Sequence, residues 1–161
     1  MTTQTVKFIR LLEHAIPFNY SRESDACMDM YAAEERTVWK GQTVKILTGI
    51  AVQLPSGFEG VVRGRSGLAL KGIHVHIGTV DEEYRGDVSI ILSNLSSERP
   101  FKITQGMRIA QFTIKPVHRI ALEEVMELPN TERGNNGFGS SGYTTNKEAV
   151  NDTERNTRLI Q

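Results

Sequence analysis

From Val44 to Val52 every second residue is a β-branched side chain: Val44, Ile46, Thr48, Ile50 and Val52. A period of two places these side chains on one face of a half-buried strand, read here as Thr43–Leu54. The same signature recurs in shorter form. Val88, Ile90 and Leu92 share a parity within Asp87–Asn94, and Val6–Leu12, Phe58–Val62 and Ile73–Ile77 are compact runs rich in β-branched and aromatic residues. The run Gly106–Ile114 carries apolar residues on both faces, as a central strand does. Turn signals separate these runs, notably Gly41-Gln42, Pro55-Ser56-Gly57 and the polar loop Ser96–Pro100. Ile120–Leu128 is apolar and acidic, fits helix or strand equally, and is read as a strand from context. Many short strands, frequent turns and no long helical period predict an all-β sandwich or barrel.

Length and charge bound the function. The 161 residues suffice for one domain with a sizeable core. Lys+Arg 19 balances Asp+Glu 19, which argues against a polybasic surface. Neither nucleic acid nor a membrane is expected as partner, since both select an excess of Lys and Arg. A local basic pocket for one phosphorylated ligand stays compatible with that balance. Cys27 is the single cysteine, which excludes an internal disulfide framework; it is read as a small buried hydrophobe. No Cys/His cluster has zinc spacing, and His74 and His76, on one strand face, lack a third ligand nearby. The N-terminus shows no apolar core of signal-peptide length, and no apolar run is long enough to span a bilayer. A cytoplasmic protein is the expectation.

Four stretches carry chemistry-bearing residues. Gly78-Thr79-Val80-Asp81-Glu82-Glu83-Tyr84-Arg85-Gly86 gathers a carboxylate, an aromatic ring and a guanidinium on one turn, although taken alone it also fits a solvated acidic hairpin. Gly64-Arg65-Ser66-Gly67-Leu68-Ala69 flanks an Arg-Ser pair with glycines before a helical turn. Freed amides there suit phosphate oxygens, and arginine adds bidentate geometry, but an ordinary turn has the same composition. Within Gly106–Ile114, Arg108 and Gln111 have opposite parity and leave on opposite faces unless a bulge intervenes. Finally, Arg133-Gly134-Asn135-Asn136-Gly137-Phe138-Gly139-Ser140-Ser141-Gly142 has almost no capacity to build a core, and reads as a linker or as a lid closing over a ligand. The remainder, Tyr143–Gln161, is polar and mixed in charge, and is expected to be a disordered tail with a nascent helix near Glu148–Arg155.

Together with Asp25-Ala26-Cys27-Met28-Asp29-Met30-Tyr31-Ala32, these stretches form five blocks in a characteristic order. The chain resembles a trimeric-type dUTPase, from about the first strand to Gly142. The resemblance implies a distorted jelly-roll β-barrel (the β-clip) over residues 1–128 and a C-terminal arm over 129–142, with 143–161 as tail. It further implies a homotrimer that exchanges its arms and shares three active sites between chains. The implied reaction takes dUTP and water to dUMP and pyrophosphate with Mg²⁺. Asp81 is implied as the general base and Tyr84 as the ring against the deoxyribose. Arg65, Ser66 and Gly67 are implied to bind the phosphate chain, with Gln111 close by and Arg108 supporting phosphates or the interface. Phe138 would cover the uracil, with Gly137 and Gly139 beside it, while Arg133, Ser140 and Ser141 would close on the terminal phosphate. Asp29 would join the metal shell through water, the ion being held mainly by phosphates. Uracil would be read by the hairpin Ile73–Val80, around His76, Ile77 and Gly78.

The chain departs from the family pattern in places. His76-Ile77-Gly78 stands where an Asn-bearing turn is often found, Cys27-Met28 replaces a Gly-aromatic pair, and Asn135-Asn136 replaces a glycine-rich pair. Glu82 and Glu83 read as solvent-facing spacers, and Arg85 as a brace of the turn or an interface. Two alternatives differ in class. A dCTP deaminase of the same fold would carry a glutamate three residues before Asn94, where Ile91 stands. A regulatory protein-binding role would sit beside catalysis.

Overall fold

The computed structural model describes residues 5–96 and 99–137. The chain divides into two units, residues 1–120 and 121–161. In the first, the strands are β1 (Lys7–Arg10), β2 (Met28–Tyr31), β3 (Arg36–Val38), β4 (Thr43–Ile46), β5 (Ile50–Gln53) and β6 (Phe58–Arg63). A single helical turn, α1 (Ser66–Ala69), precedes β7 (Ile73–Val75), β8 (Gly78–Val80), β9 (Ile90–Asn94), β10 (Phe101–Ile103) and β11 (Arg108–Pro116). The ladders run β1-β5, β3-β10, β2-β11-β6-β8 and β4-β9-β7, every pairing antiparallel. Strands adjacent in space are distant in sequence, as β11 between β2 and β6 shows, and this is the order of a distorted jelly roll. Among the described residues no helix is long and apolar enough to cross a membrane.

The core is filled by the inward parity of these strands. Val38, Ile46, Ile50, Ile90, Leu92, Ile103, Ile109 and Phe112 are fully buried. Burying a side chain of this size stabilises by roughly 1.5–3 kcal/mol each. Packing around Phe112 dictates a glycine on the neighbouring strand: a Cβ on Gly60 would lie 2.7 Å from the ring's Cε2.

The alternating run 44–52 keeps its parity but not its continuity. It splits into β4, paired with β9, and β5, paired with β1. Gly49 turns the chain at φ +70°, a left-handed conformation that L side chains rarely adopt. Thr48, in line with the inward series, is fully buried as a polar joint, its hydroxyl donating to Val88 O at 3.0 Å. Asp87 accepts from the amides of Thr48 at 3.2 Å and Gly49 at 2.5 Å, satisfying donors that the break removes from the ladders.

Two further details position the functional residues. The pairing of β11 with β2 shifts register between Arg108 and Ala110, where a bulge adds one residue. The hairpin from β7 to β8 changes sheets through only two residues, His76 and Ile77, because β7 pairs with β9 and β8 with β6. The acidic stretch Gly78–Gly86 therefore begins as a strand rather than as a turn.

The second unit, described for residues 121–137, contains no helix or strand. The strand expected over Ile120–Leu128 is not formed. Its apolar side chains, Leu122 and Met126 among them, lie exposed, and the segment has no ladder partner among the described residues. Without a partner an extended chain satisfies its peptide groups with water and gains nothing from alternation.

Candidate active site

Strand β2 carries Asp29 inward, where it is 6% exposed. Its neighbours come from three directions. The Ser21 hydroxyl donates to Oδ2 at 2.6 Å, Arg108 Nη1 donates to the same oxygen at 3.1 Å, and Arg65 Nε lies 3.7 Å from Oδ1. Arg108 Nη1 also reaches Ser21 Oγ at 3.1 Å, and Arg65 Nη1 donates to Arg108 O at 2.8 Å. The amide of Asp29 donates to Asn19 O at 2.8 Å, which fixes the loop that delivers Ser21. Burial raises the Asp29 pKa, but the Ser21 and Arg108 hydrogen bonds and the two guanidinium charges outweigh it and hold the carboxyl below its ordinary value.

The bulge in β11 resolves the parity conflict between Arg108 and Gln111. With one extra residue between them, both side chains line the same groove as Asp29 and Arg65, of about 370 Å³. Ile109 and Ala110, inside the bulge, are both fully buried. Arg65 caps α1, and Ser66 and Gly67 are its first two residues, both exposed. A Cβ on Gly67 would meet nothing within 4 Å, so neither packing nor backbone angle demands glycine there. Ser21 had no motif to announce it; only the bridge Asn19–Asp29 brings it to the cluster. Cys27, half-buried, lines this groove as well.

The second group is built on the end of β8. Val80 is buried and paired with Gly60, and Asp81 follows as the first residue beyond the ladder. The turn closes with Tyr84 N donating to Asp81 O at 3.1 Å. Arg85 braces it from within, Nη1 donating to Glu82 O at 2.6 Å and Tyr84 O at 2.9 Å. The Tyr84 hydroxyl donates to Asp87 O at 3.1 Å. The phenol end of its ring lies against Gly86, where a Cβ would come within 2.6 Å of ring carbon Cζ. The Asp81 carboxylate takes part in no hydrogen bond or ion pair among the described residues. Asp81 and Tyr84 open onto a groove of about 690 Å³, walled by Phe58, Glu59, Val117 and Arg119. Glu82 is not the solvent-facing spacer expected of it: its carboxylate accepts from Gly57 N at 2.5 Å and from Arg119 Nη2 at 2.9 Å.

In the hairpin, the His76 amide donates to Ile91 O at 2.9 Å and its Nε2 meets Ser93 Oγ at 2.8 Å. The ring stacks edge-on with His74 at 5.4 Å, the stacked pair that the sequence allowed. Ile77 is exposed and Gly78 opens β8. The structure thus gathers Asp29, Arg65, Arg108 and Gln111 in one groove and Asp81 with Tyr84 in another, and no residue lines both. Arg133 and Gly137 belong to the second unit, where Arg133 Nε donates to Asn136 O at 3.0 Å. Phe138, Gly139, Ser140, Ser141 and the tail 143–161 lie outside the described residues.

A family model described as dUTPase matches residues 13–142. The deoxyuridine 5'-triphosphate nucleotidohydrolase of Clostridium novyi (strain NT) is 52% identical over 130 residues, covering 79% of this chain and 90% of that protein. The protein of the same name from Clostridioides difficile is 45% identical over 141 residues, covering 86% and 98%. Among solved structures, a dUTPase variant of Staphylococcus bacteriophage 80alpha with dUpNHpp aligns at a TM-score of 0.79 and 26% identity, over 88% of this chain and 100% of that one. With the matched segment spanning all five blocks, the chain belongs to the dUTPase family.

Proposed function

We propose that the chain hydrolyses dUTP to dUMP and pyrophosphate, with water attacking the α-phosphorus and Asp81 as general base. Family membership carries the reaction: the enzyme is a dUTP diphosphatase. For the roles, the supporting observation is the placement of Asp81, delivered by a buried strand end beside Tyr84 with its carboxylate uncommitted. A base of this kind must be free to take a proton from water, and contributes roughly 10²–10⁴-fold. The proton leaves water for Asp81 as the new P–O bond forms, and the bond to the β-phosphate oxygen breaks to release pyrophosphate.

Tyr84, pressed on Gly86, presents its ring to the deoxyribose, where a 2′-hydroxyl would collide. Arg65, Ser66, Gly67, Arg108 and Gln111 bind the phosphates, with Ser66 at the oxygen where leaving-group charge develops. Since the amide and ring of His76 are committed to Ile91 and Ser93, base reading falls to the main chain at Ile77 and Gly78. Cytosine presents the opposite donor and acceptor pattern and leaves buried groups unpaired.

The two grooves share no residue, which supports a site assembled at subunit boundaries of a homotrimer. Arg133, Gly137, Phe138, Gly139, Ser140 and Ser141 arrive on the arm. For Mg²⁺ the fit is indirect. Both Asp29 oxygens face arginines or Ser21, and no cluster of three or more His, Cys, Asp or Glu among the described residues could hold a metal. Asp29 would reach the ion through water, and the bound ion supplies charge neutralisation on the phosphate oxygens.

Pyrophosphate release from dUTP, dCTP, dTTP and UTP with magnesium tests the assignment. Release from dUTP alone is expected; equal release from dCTP or UTP would contradict it.

A further inference from the structure

We propose that Glu82 is a positioning residue that holds the Asp81 turn in register with the body of the barrel. The proposal rests on Asp81 being the base. Every other hydrogen bond made by residues 81–86 stays inside the stretch 81–87 among the described residues. The turn is anchored at its C-terminal end, where Asp87 accepts from the amides of Thr48 and Gly49. Glu82 fastens the side that carries Asp81. Its Oε2 accepts from Gly57 N at 2.5 Å, in the turn between β5 and β6, and its Oε1 accepts from Arg119 Nη2 at 2.9 Å.

These contacts belong to a closed circuit. Val117 N donates to Gly57 O at 2.8 Å, so both peptide groups at Gly57 are engaged, one by the catalytic turn and one by the chain just past β11. Arg119, two residues on, returns to Glu82. The circuit Glu82–Gly57–Val117–Arg119 therefore ties the turn to the last residues of the first unit, which ends at Ile120. The two halves differ in weight. The Gly57 contact is a charge-assisted bond to backbone, with the Glu82 side chain 22% exposed. Arg119 is 78% exposed, and its pairing is of the screened surface kind. The amide contact holds the turn, and the arginine keeps the carboxylate aimed at the amide.

Steady-state kinetics of the full-length chain test this with E82A, E82Q, R119A and the E82A/R119A pair, and D81N as control. E82A is expected to lower kcat for dUTP about 10- to 100-fold, the scale of a small misplacement of a reacting group, with KM little changed. E82Q, which keeps an acceptor for Gly57 N, is expected to recover most of that loss. R119A should cost less than E82A, and the double variant no more than E82A, because the two act through one contact. Affinity for dUpNHpp should stay near wild type in E82A while hydrogen exchange at the Gly57 amide rises. An E82A enzyme with wild-type kcat, beside an inactive D81N, would overturn the role of Glu82 alone. Turnover retained in D81N would overturn the base assignment and this proposal with it.

Discussion

Asp29 and Asp81 are both presented from strands of one four-stranded sheet, and their surroundings are opposite. Asp29 is buried and both of its oxygens are committed, to Ser21, Arg108 and Arg65. Asp81 is exposed, and its carboxylate has no partner among the described residues. The contrast separates two uses of one side chain. A carboxylate held by two guanidinium groups organises positive charge and makes a poor proton acceptor. An uncommitted one beside an aromatic ring can receive the proton of a water molecule. Arg65 and Arg108 thus line one groove with Asp29, and Asp81 opens onto the other.

Substitutions at the two aspartates sharpen this contrast. The largest effect is expected from D81N, with kcat lower by roughly 10²–10⁴-fold, while dUpNHpp binding measured by calorimetry persists. Deleting residues 133–161 comes next: a folded protein with most of its turnover lost, seen by comparing circular dichroism with pyrophosphate release. Smaller again is G86A. A Cβ within 2.6 Å of Tyr84 Cζ must lift the ring. The ratio of kcat/KM for dUTP over UTP should fall about tenfold, in line with what a small steric change in a pocket is worth.

The smallest effect is on stability. The Asp29 carboxyl is held below its ordinary value of 3.8 in the folded chain. Its ionised form therefore contributes stability that is complete above the unfolded value and is lost as pH falls through the folded one. D29N should flatten the acid limb of a thermal-stability profile below about pH 4 and leave the slope near neutrality unchanged.

Much of the fold was legible because alternation survives wherever one face is buried. The parity of Val44, Ile46, Ile50 and Val52 is correct, yet one strand was read where two exist. Nothing in a period of two marks a change of sheet; the signal was Gly49 with a buried threonine before it. The acidic stretch hid β8, since Gly78, Thr79 and Val80 are too few to show a pattern. Ile120–Leu128 failed the other way, with a pattern but no strand to pair with. At the candidate site, the family blocks name Asp29, Arg65, Arg108 and Gln111, which share one groove. Residues defined only by tertiary contact were not legible: Ser21 reaches Asp29 through a loop bridge, and Glu82 is fastened by a backbone amide 25 positions away. Parity alone sets Arg108 and Gln111 on opposite faces, and the bulge at Ile109 brings them to one.

If the two grooves are halves of one site contributed by different copies of the chain, damage to each half should be complementable. D81N and R65A, each of low activity when expressed alone, can be co-expressed and purified as mixed assemblies. Random mixing in a trimer would leave roughly a quarter of the sites with both halves intact, and dUTP turnover should return towards that fraction of wild type. Mixed assemblies no more active than the better single variant would contradict a site built across subunits.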